Sequence, residues 1–306
     1  MLGLPDVRRI RRVARAAAAS PTRKLRQLRR ARSAPPLRRE SLFLTNTSGY
    51  RVHLVVTEPD DDERRPCVVL VPGRDKDSTV FDHALYVVSA PELAQTGLRV
   101  VTFDPVGRGR SWGHDDLCGS EGQDSLRAVL EYAHSRRDVL PGRIGVASFS
   151  LGLSLAAPVV AEHGERLGTA FLLDWEGPAD RDAILRTGPL PPAARASLAR
   201  SPEHFWEARE PMSSLEDLPC PYLRVQARED HALGSRGVEG ALRLVAEASR
   251  GRCPEARLND NPPNVAWQPD QIEEIRWAPD SPAALAELLI TTLSERLGAE
   301  TGTVAP

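Results

Sequence analysis

The chain has 306 residues, 41% of them apolar and 27% charged, enough to bury a sizeable core in one large domain or two small ones. No apolar run approaches the roughly 20 residues of a membrane-spanning helix, which excludes a chain built around such helices and reads as soluble and globular. The formal net charge of −2 hides an asymmetry: residues 1–40 carry 13 Arg and Lys against two acids, and the acidic remainder offsets them.

In chain order, residues 1–40 read as a basic arm, helical or disordered. It does not read as a secretory signal, because Arg15 interrupts its alanine-rich stretch. Val7, Ile10, Val13 and Ala17 recur at helical spacing, so the arm offers weak contact to an anionic membrane or to nucleic acid. The competing reading is a solvated tail docked on the acidic body. Segments 41–46 and 50–59 read as a hairpin about Thr47-Ser48-Gly49, and the apolar run 67–71 as a buried parallel strand. A helix near 79–95, a strand at 98–104 and a helix at 121–137 follow. Next come a strand leading to Ser150, a helix at 151–162 and a strand at 169–175. Residues 177–218 form a proline-rich, cap-like excursion. After it come a strand at 221–227, a helix at 236–249, a short strand at 254–260, a helix at 281–298 capped by Ser281, and a flexible tail, 299–306. An opening hairpin followed by alternating strands and helices predicts an α/β domain over 41–298, with a mostly parallel sheet covered on both faces.

The four cysteines are widely spaced without a CxxC pair, so reduced thiols in a cytoplasmic protein and no zinc are expected. There is no glycine-rich phosphate loop, and no cofactor is expected. Ser148-Phe149-Ser150-Leu151-Gly152, between an apolar run and a helical pattern, is how a nucleophilic serine is presented at a strained turn, where the residues two positions either side must be small.

Four segments in order resemble the α/β-hydrolase fold: VLVPGRD (69–75), VVTFDPVGRGRSWG (100–113), GVASFSLGLS around Ser150, and PYLRVQARED (221–230). FWEAREPMSSLEDLPCPYL (205–223) is similar to the connector before the penultimate strand in dienelactone-hydrolase-like and peptidase-like members. The resemblance implies Ser150 as nucleophile, and the backbone N–H groups of Leu151 and of Arg74 or Asp75 as the oxyanion hole. It implies Asp230 as the acid, with Asp174 and Glu176 at the end of the preceding strand as backups; the other reading of Asp230 is a turn former. It also implies a histidine after the last strand, but that loop reads LNDNPPNVAWQ (258–268), and amides take no proton from a serine at useful pH.

His231 is then the candidate base, with Asp174 or Glu176 able to orient its second nitrogen, ahead of His83 and then His114. The Arg74 guanidinium either meets an anionic substrate or pairs with Asp75 or Asp77. His83, Trp112 and Trp206 are candidate substrate contacts, alongside Phe205 and Trp267. The expected activity is serine-dependent hydrolysis of a carboxylic ester, lactone or related small-molecule acyl substrate through an atypical triad, or acyl transfer by the same residues. The alternative is a non-catalytic binding or interaction protein on the same fold. The expected location is cytoplasmic, peripheral at a membrane if the arm binds lipid.

Overall fold

The computed structural model describes residues 36–83, 87–188 and 190–298. The readings made for residues 1–35 and for the tail lie outside the described residues. β1 (Leu37–Thr45) and β2 (Arg51–Pro59) form the opening hairpin in a continuous antiparallel register from Leu37↔Pro59 to Thr45↔Arg51. Its turn closes through Gly49 at φ 84° and the Asn46 side chain, which accepts from Tyr50 N at 2.8 Å. The strand starts four residues earlier than expected. Arg38 pairs with Glu58 and Arg39 with Asp82, so the end of the basic segment is sheet rather than arm.

The chain continues through β3 (Arg65–Val71), α1 (Ala90–Ala94), β4 (Arg99–Phe103), α2 (Ser120–Ser135), β5 (Val139–Phe149), α3 (Leu153–Leu167) and β6 (Thr169–Trp175). It then runs through α4 (Arg181–Arg186), α5 (Pro192–Leu198), α6 (Glu203–Glu207), β7 (Tyr222–Val225), α7 (Gly237–Arg250), β8 (Ala256–Leu258) and α8 (Pro282–Leu297). The helix expected over 79–95 is instead a 3-10 turn, Ser78–Phe81, and the five-residue α1. Pro91 in the first turn of α1 has no N–H to continue a helix arriving from upstream, and Ser89 starts a new one by accepting from Glu92 N.

The eight strands make one sheet in the order β1-β2-β4-β3-β5-β6-β7-β8. β1, β2 and β4 pair antiparallel in succession, and β4 through β8 are parallel. The inner strands are buried on both faces, hence the unbroken apolar run Cys67–Val71. On one face, α2, α3 and α7 bury Leu130, Leu155, Val159, Leu244 and Val245 with Trp206. On the other, α1 and α8 bury Leu93, Leu289 and Leu293 with Phe81, Phe149 and Phe171. Each fully buried side chain of this size contributes about 1.5–3 kcal/mol of transfer free energy. All four cysteines are free and buried, and burial pushes the Cys67 and Cys220 thiols up to about 12. Among the described residues no helix is long and apolar enough to cross a membrane.

The parallel strands deliver the loops after β3, β5, β6 and β7 to one edge of the sheet, and the chemistry-bearing residues gather there.

Candidate active site

β5 ends in Phe149, and Ser150 takes the left-handed conformation at φ 53°, a strained position for a residue with a side chain. The strain is held by packing on both sides. A Cβ at Gly152 would lie 2.7 Å from Val71 O and 2.9 Å from Pro72 O, so only glycine lets the start of α3 pass the end of β3. Ser148, fully buried, donates to Leu173 O at 3.3 Å and is small enough to sit between β5 and β6. Local sequence thus dictates where the Ser150 hydroxyl points: off the strand end, into the loop cluster.

The His231 imidazole meets it, with Nε2 3.0 Å from Ser150 Oγ. Nδ1 lies 2.7 Å from Glu176 Oε2, and the ring stacks on Trp175 with centroids 4.5 Å apart and planes at 23°. Glu176 follows directly on β6 and is itself left-handed at φ 50°, which swings its carboxylate toward the loop after β7. That carboxylate is fixed by two backbone donors, Ala227 N at 3.0 Å and His231 N at 2.8 Å. A carboxylate at Nδ1 leaves Nε2 of the neutral ring as the acceptor for the Ser150 hydroxyl. Burial works to lower the imidazole pKa, but the hydrogen bond and charge of Glu176, with Asp230 adding, outweigh it and raise the pKa above its ordinary value. Sequence reasoning ranked Asp230 ahead of Glu176 and missed Trp175. The signal for both was the dipeptide Trp175-Glu176 at the end of a buried strand facing the His231 loop.

Asp230 takes the turn-forming role instead. Its Oδ1 accepts from Ala232 N at 2.8 Å and Leu233 N at 2.9 Å, and its backbone pairs with Gly234. Spent on the loop's own amides, that oxygen stays 3.7 Å from His231 Nδ1. Asp174, the other proposed acid, lies opposite Arg224 in the β6–β7 register and is fully buried. Its carboxylate takes Arg224 Nη1, the Tyr222 hydroxyl at 2.8 Å and Gly177 N at 3.0 Å, and none of these contacts reaches the imidazole. Arg224→Met should therefore destabilise the fold by about 3–5 kcal/mol in urea unfolding, because it strands a buried carboxylate.

The loop after β3 is braced from below. Arg108 donates to Gly73 O at 3.0 Å while paired with Asp115, and Asp104 Oδ1 accepts from Ser78 N at 2.8 Å. Arg74 and Leu151, the proposed oxyanion donors, flank the contact between this loop and Gly152. The Arg74 guanidinium pairs with neither Asp75 nor Asp77. It forms no ion pair among the described residues, and its Nη2 donates to Ile184 O at 2.7 Å and Thr187 Oγ1 at 3.1 Å, tying the loop to the end of α4. Burial holds its pKa below the usual arginine value despite the nearby Asp75.

The asparagines after β8 serve the backbone. Asn259 accepts from Gln226 N at 2.8 Å and donates to Gln226 O and Arg276 O, while Asn261 accepts from Arg276 N at 2.9 Å. Asn264 accepts from Ala256 N at 2.7 Å. Three of the proposed substrate contacts, His83, Trp112 and Trp206, fall in three different settings. His83 is exposed on the loop after the 3-10 turn, and Trp206 is fully buried in the core. Trp112 is 58% exposed beside Arg51 on β2, with β4 and β3 between it and β5. Glu176, Asp230 and His231 are the one group among the described residues that offers three ligand atoms within 4.8 Å, and hydrogen bonds already engage those atoms.

No protein-family model and no curated protein matches the sequence. Solved structures do. An esterase from Pyrococcus furiosus is 18% identical, with 87% of this chain and 94% of that one covered and a TM-score of 0.56. Brefeldin A esterase, a bacterial homologue of human hormone-sensitive lipase, is 15% identical over 100% of this chain and 89% of its own, with a TM-score of 0.57. A 2,6-dihydroxy-pseudo-oxynicotine hydrolase is 17% identical over 90% and 73%, with a TM-score of 0.56. The chain has the α/β-hydrolase fold.

Proposed function

We propose that this α/β-hydrolase-fold chain is a serine hydrolase acting on a carboxylic ester, lactone or related small acyl substrate, with Ser150, His231 and Glu176 as its catalytic set. The observation that carries the reading is the continuous relay from Ser150 Oγ to His231 Nε2 at 3.0 Å and from His231 Nδ1 to Glu176 at 2.7 Å. Both distances are hydrogen bonds in reach of proton transfer. Ser150 Oγ attacks the acyl carbon as its proton passes to Nε2, and Glu176 stabilises the imidazolium. The N–H groups of Leu151 and Arg74 receive the oxyanion. The leaving alkoxide takes the proton from Nε2, and water repeats the sequence on the acyl-serine. The esterases and the hydrolase among the similar structures favour the same chemistry.

The reading is tested by fluorophosphonate labelling followed by intact mass. Wild type should gain one adduct at Ser150, and Ser150→Ala and His231→Ala should lose it. An unlabelled, well-folded wild type would overturn the reading in favour of a non-catalytic binding protein. A panel of esters and lactones then assigns the substrate.

A further inference from the structure

A second serine–histidine–carboxylate array stands on the opening hairpin. His53, on β2, is buried; its Nδ1 lies 2.9 Å from Asp104 Oδ2 and its Nε2 2.8 Å from Ser41 Oγ on β1. Asp104 is 1% exposed and fixed by Ser78 N at 2.8 Å and Arg110 N at 2.7 Å, so it cannot turn away from the ring. Ser41, by contrast, is exposed. Arg110 Nη1 reaches both partners, 3.2 Å from Ser41 Oγ and 3.1 Å from His53 Nε2. A guanidinium donating to Nε2 and a carboxylate at Nδ1 agree on one tautomer, with the proton on Nδ1 and the single lone pair of Nε2 shared between Arg110 and the Ser41 hydroxyl until Arg110 turns to the substrate.

The surroundings are also those of a binding surface. Arg51 and Arg110 form no ion pair among the described residues and stand 4.4 Å and 5.3 Å over the Phe43 ring. Trp112 is the exposed large hydrophobic residue beside them. With β4 and β3 between β2 and β5 in the sheet, none of these groups belongs to the Ser150 relay.

We propose that Ser41 is a second activated serine, an acyl acceptor for activated carboxylic esters, with His53 as base, Asp104 as its orienting carboxylate and Arg110 as the donor to the oxyanion. Ser41 Oγ bonds to the acyl carbon while its proton moves to His53 Nε2, and the buried Asp104 carboxylate stabilises the resulting imidazolium. Arg110, already within reach of Oγ, turns its N–H to the carbonyl oxygen as that oxygen becomes negative. The C–O bond to the leaving group then breaks, the leaving oxygen takes the proton from Nε2, and Ser41 remains as a neutral ester. The face of Trp112 gives the acyl group an apolar surface. One guanidinium replaces the paired backbone donors of an oxyanion hole, so the array is built for a single acyl transfer onto Ser41 rather than for rapid turnover.

The test uses the full chain carrying Ser150→Ala, so that no outcome depends on the hydrolase reading, which is judged by labelling of Ser150 alone. The protein is treated with p-nitrophenyl acetate, and the tryptic peptide 40–51, which holds Ser41 together with Ser48, is followed by tandem mass spectrometry. Ser41 should acetylate about 100-fold faster than the exposed Ser48 in the same peptide, the size of contribution a positioned general base makes. His53→Gln should bring Ser41 down to the Ser48 rate. Because replacing the buried His53 also perturbs the fold, the surface variant Arg110→Met provides an independent arm, in which the Ser41 rate should fall at least tenfold. Equal rates at Ser41 and Ser48, or an Arg110→Met protein that acetylates at the unaltered rate, would overturn the proposal.

Discussion

Replacing His231 by alanine is expected to lower kcat for an activated ester by about 10⁶-fold, the scale on which removal of a serine nucleophile's base acts elsewhere. The expectation is large because no second imidazole replaces it: His83 and His114 are both exposed on loops outside the relay. Ser150 in the variant keeps its strained turn, which depends on Gly152 and the end of β3 rather than on the ring. The fold should survive. Glu176 retains the amides of Ala227 and residue 231 and loses one of three hydrogen bonds, a cost of about 1–3 kcal/mol in urea unfolding. Steady-state kinetics on a p-nitrophenyl ester checks the first figure, and a residual rate within tenfold of wild type would rule out His231 as the base.

Glu176→Gln isolates the carboxylate and is expected to cut kcat by about 10⁴-fold while leaving the loop in place. Its sharper signature is in pH. Catalysis needs the neutral imidazole, so kcat/KM rises as His231 loses its proton, at a pH above the ordinary histidine value in the wild type. Without the Glu176 charge only Asp230 still opposes burial, and the acid limb of the variant moves to lower pH. Stability follows the opposite sense. A histidine that binds its proton more tightly when folded adds stability below its unfolded value of about 6.5, and loses it as pH rises through the folded value. The wild type should therefore exceed Glu176→Gln in urea midpoint by more at pH 5 than at pH 9. A limb that stays in place would show that Glu176 does not set the imidazole's proton affinity.

What was legible in the sequence was set by local physics. The elbow was readable because a left-handed residue flanked by Ser148 and Gly152 leaves a local signature, and so were the buried strands, whose apolar runs need no partner to be recognised. Choosing among the carboxylates was harder. Asp230, Asp174 and Glu176 are three acids near two adjacent strand ends, and nothing local says which one a neighbouring strand will claim. Asp174 is claimed by Arg224 through the β6–β7 register, and Asp230 by the amides of its own turn. Both are decided by tertiary pairing. Trp206 shows the same limit: an aromatic in an irregular excursion fills the core as readily as a pocket, and here it is fully buried. The interrupted helix before β4 was signalled by Pro91, which the apolar spacing around it masked.

The three side chains proposed for the Ser150 relay occupy a narrow interval of the chain, from Ser150 to His231, with Glu176 between them. Everything after that interval, including β8, the asparagine loop and α8, acts on the reaction only by closing the sheet behind it. The asparagines make this division visible: their hydrogen bonds knit the loop after β8 to Gln226 and Arg276, so that stretch of chain is free of any duty toward a proton. Insertions and substitutions there should be tolerated wherever the edge strand still seats, whereas those between 150 and 231 must preserve the placement of three side chains. Tolerance to substitution should therefore change at the end of the His231 turn.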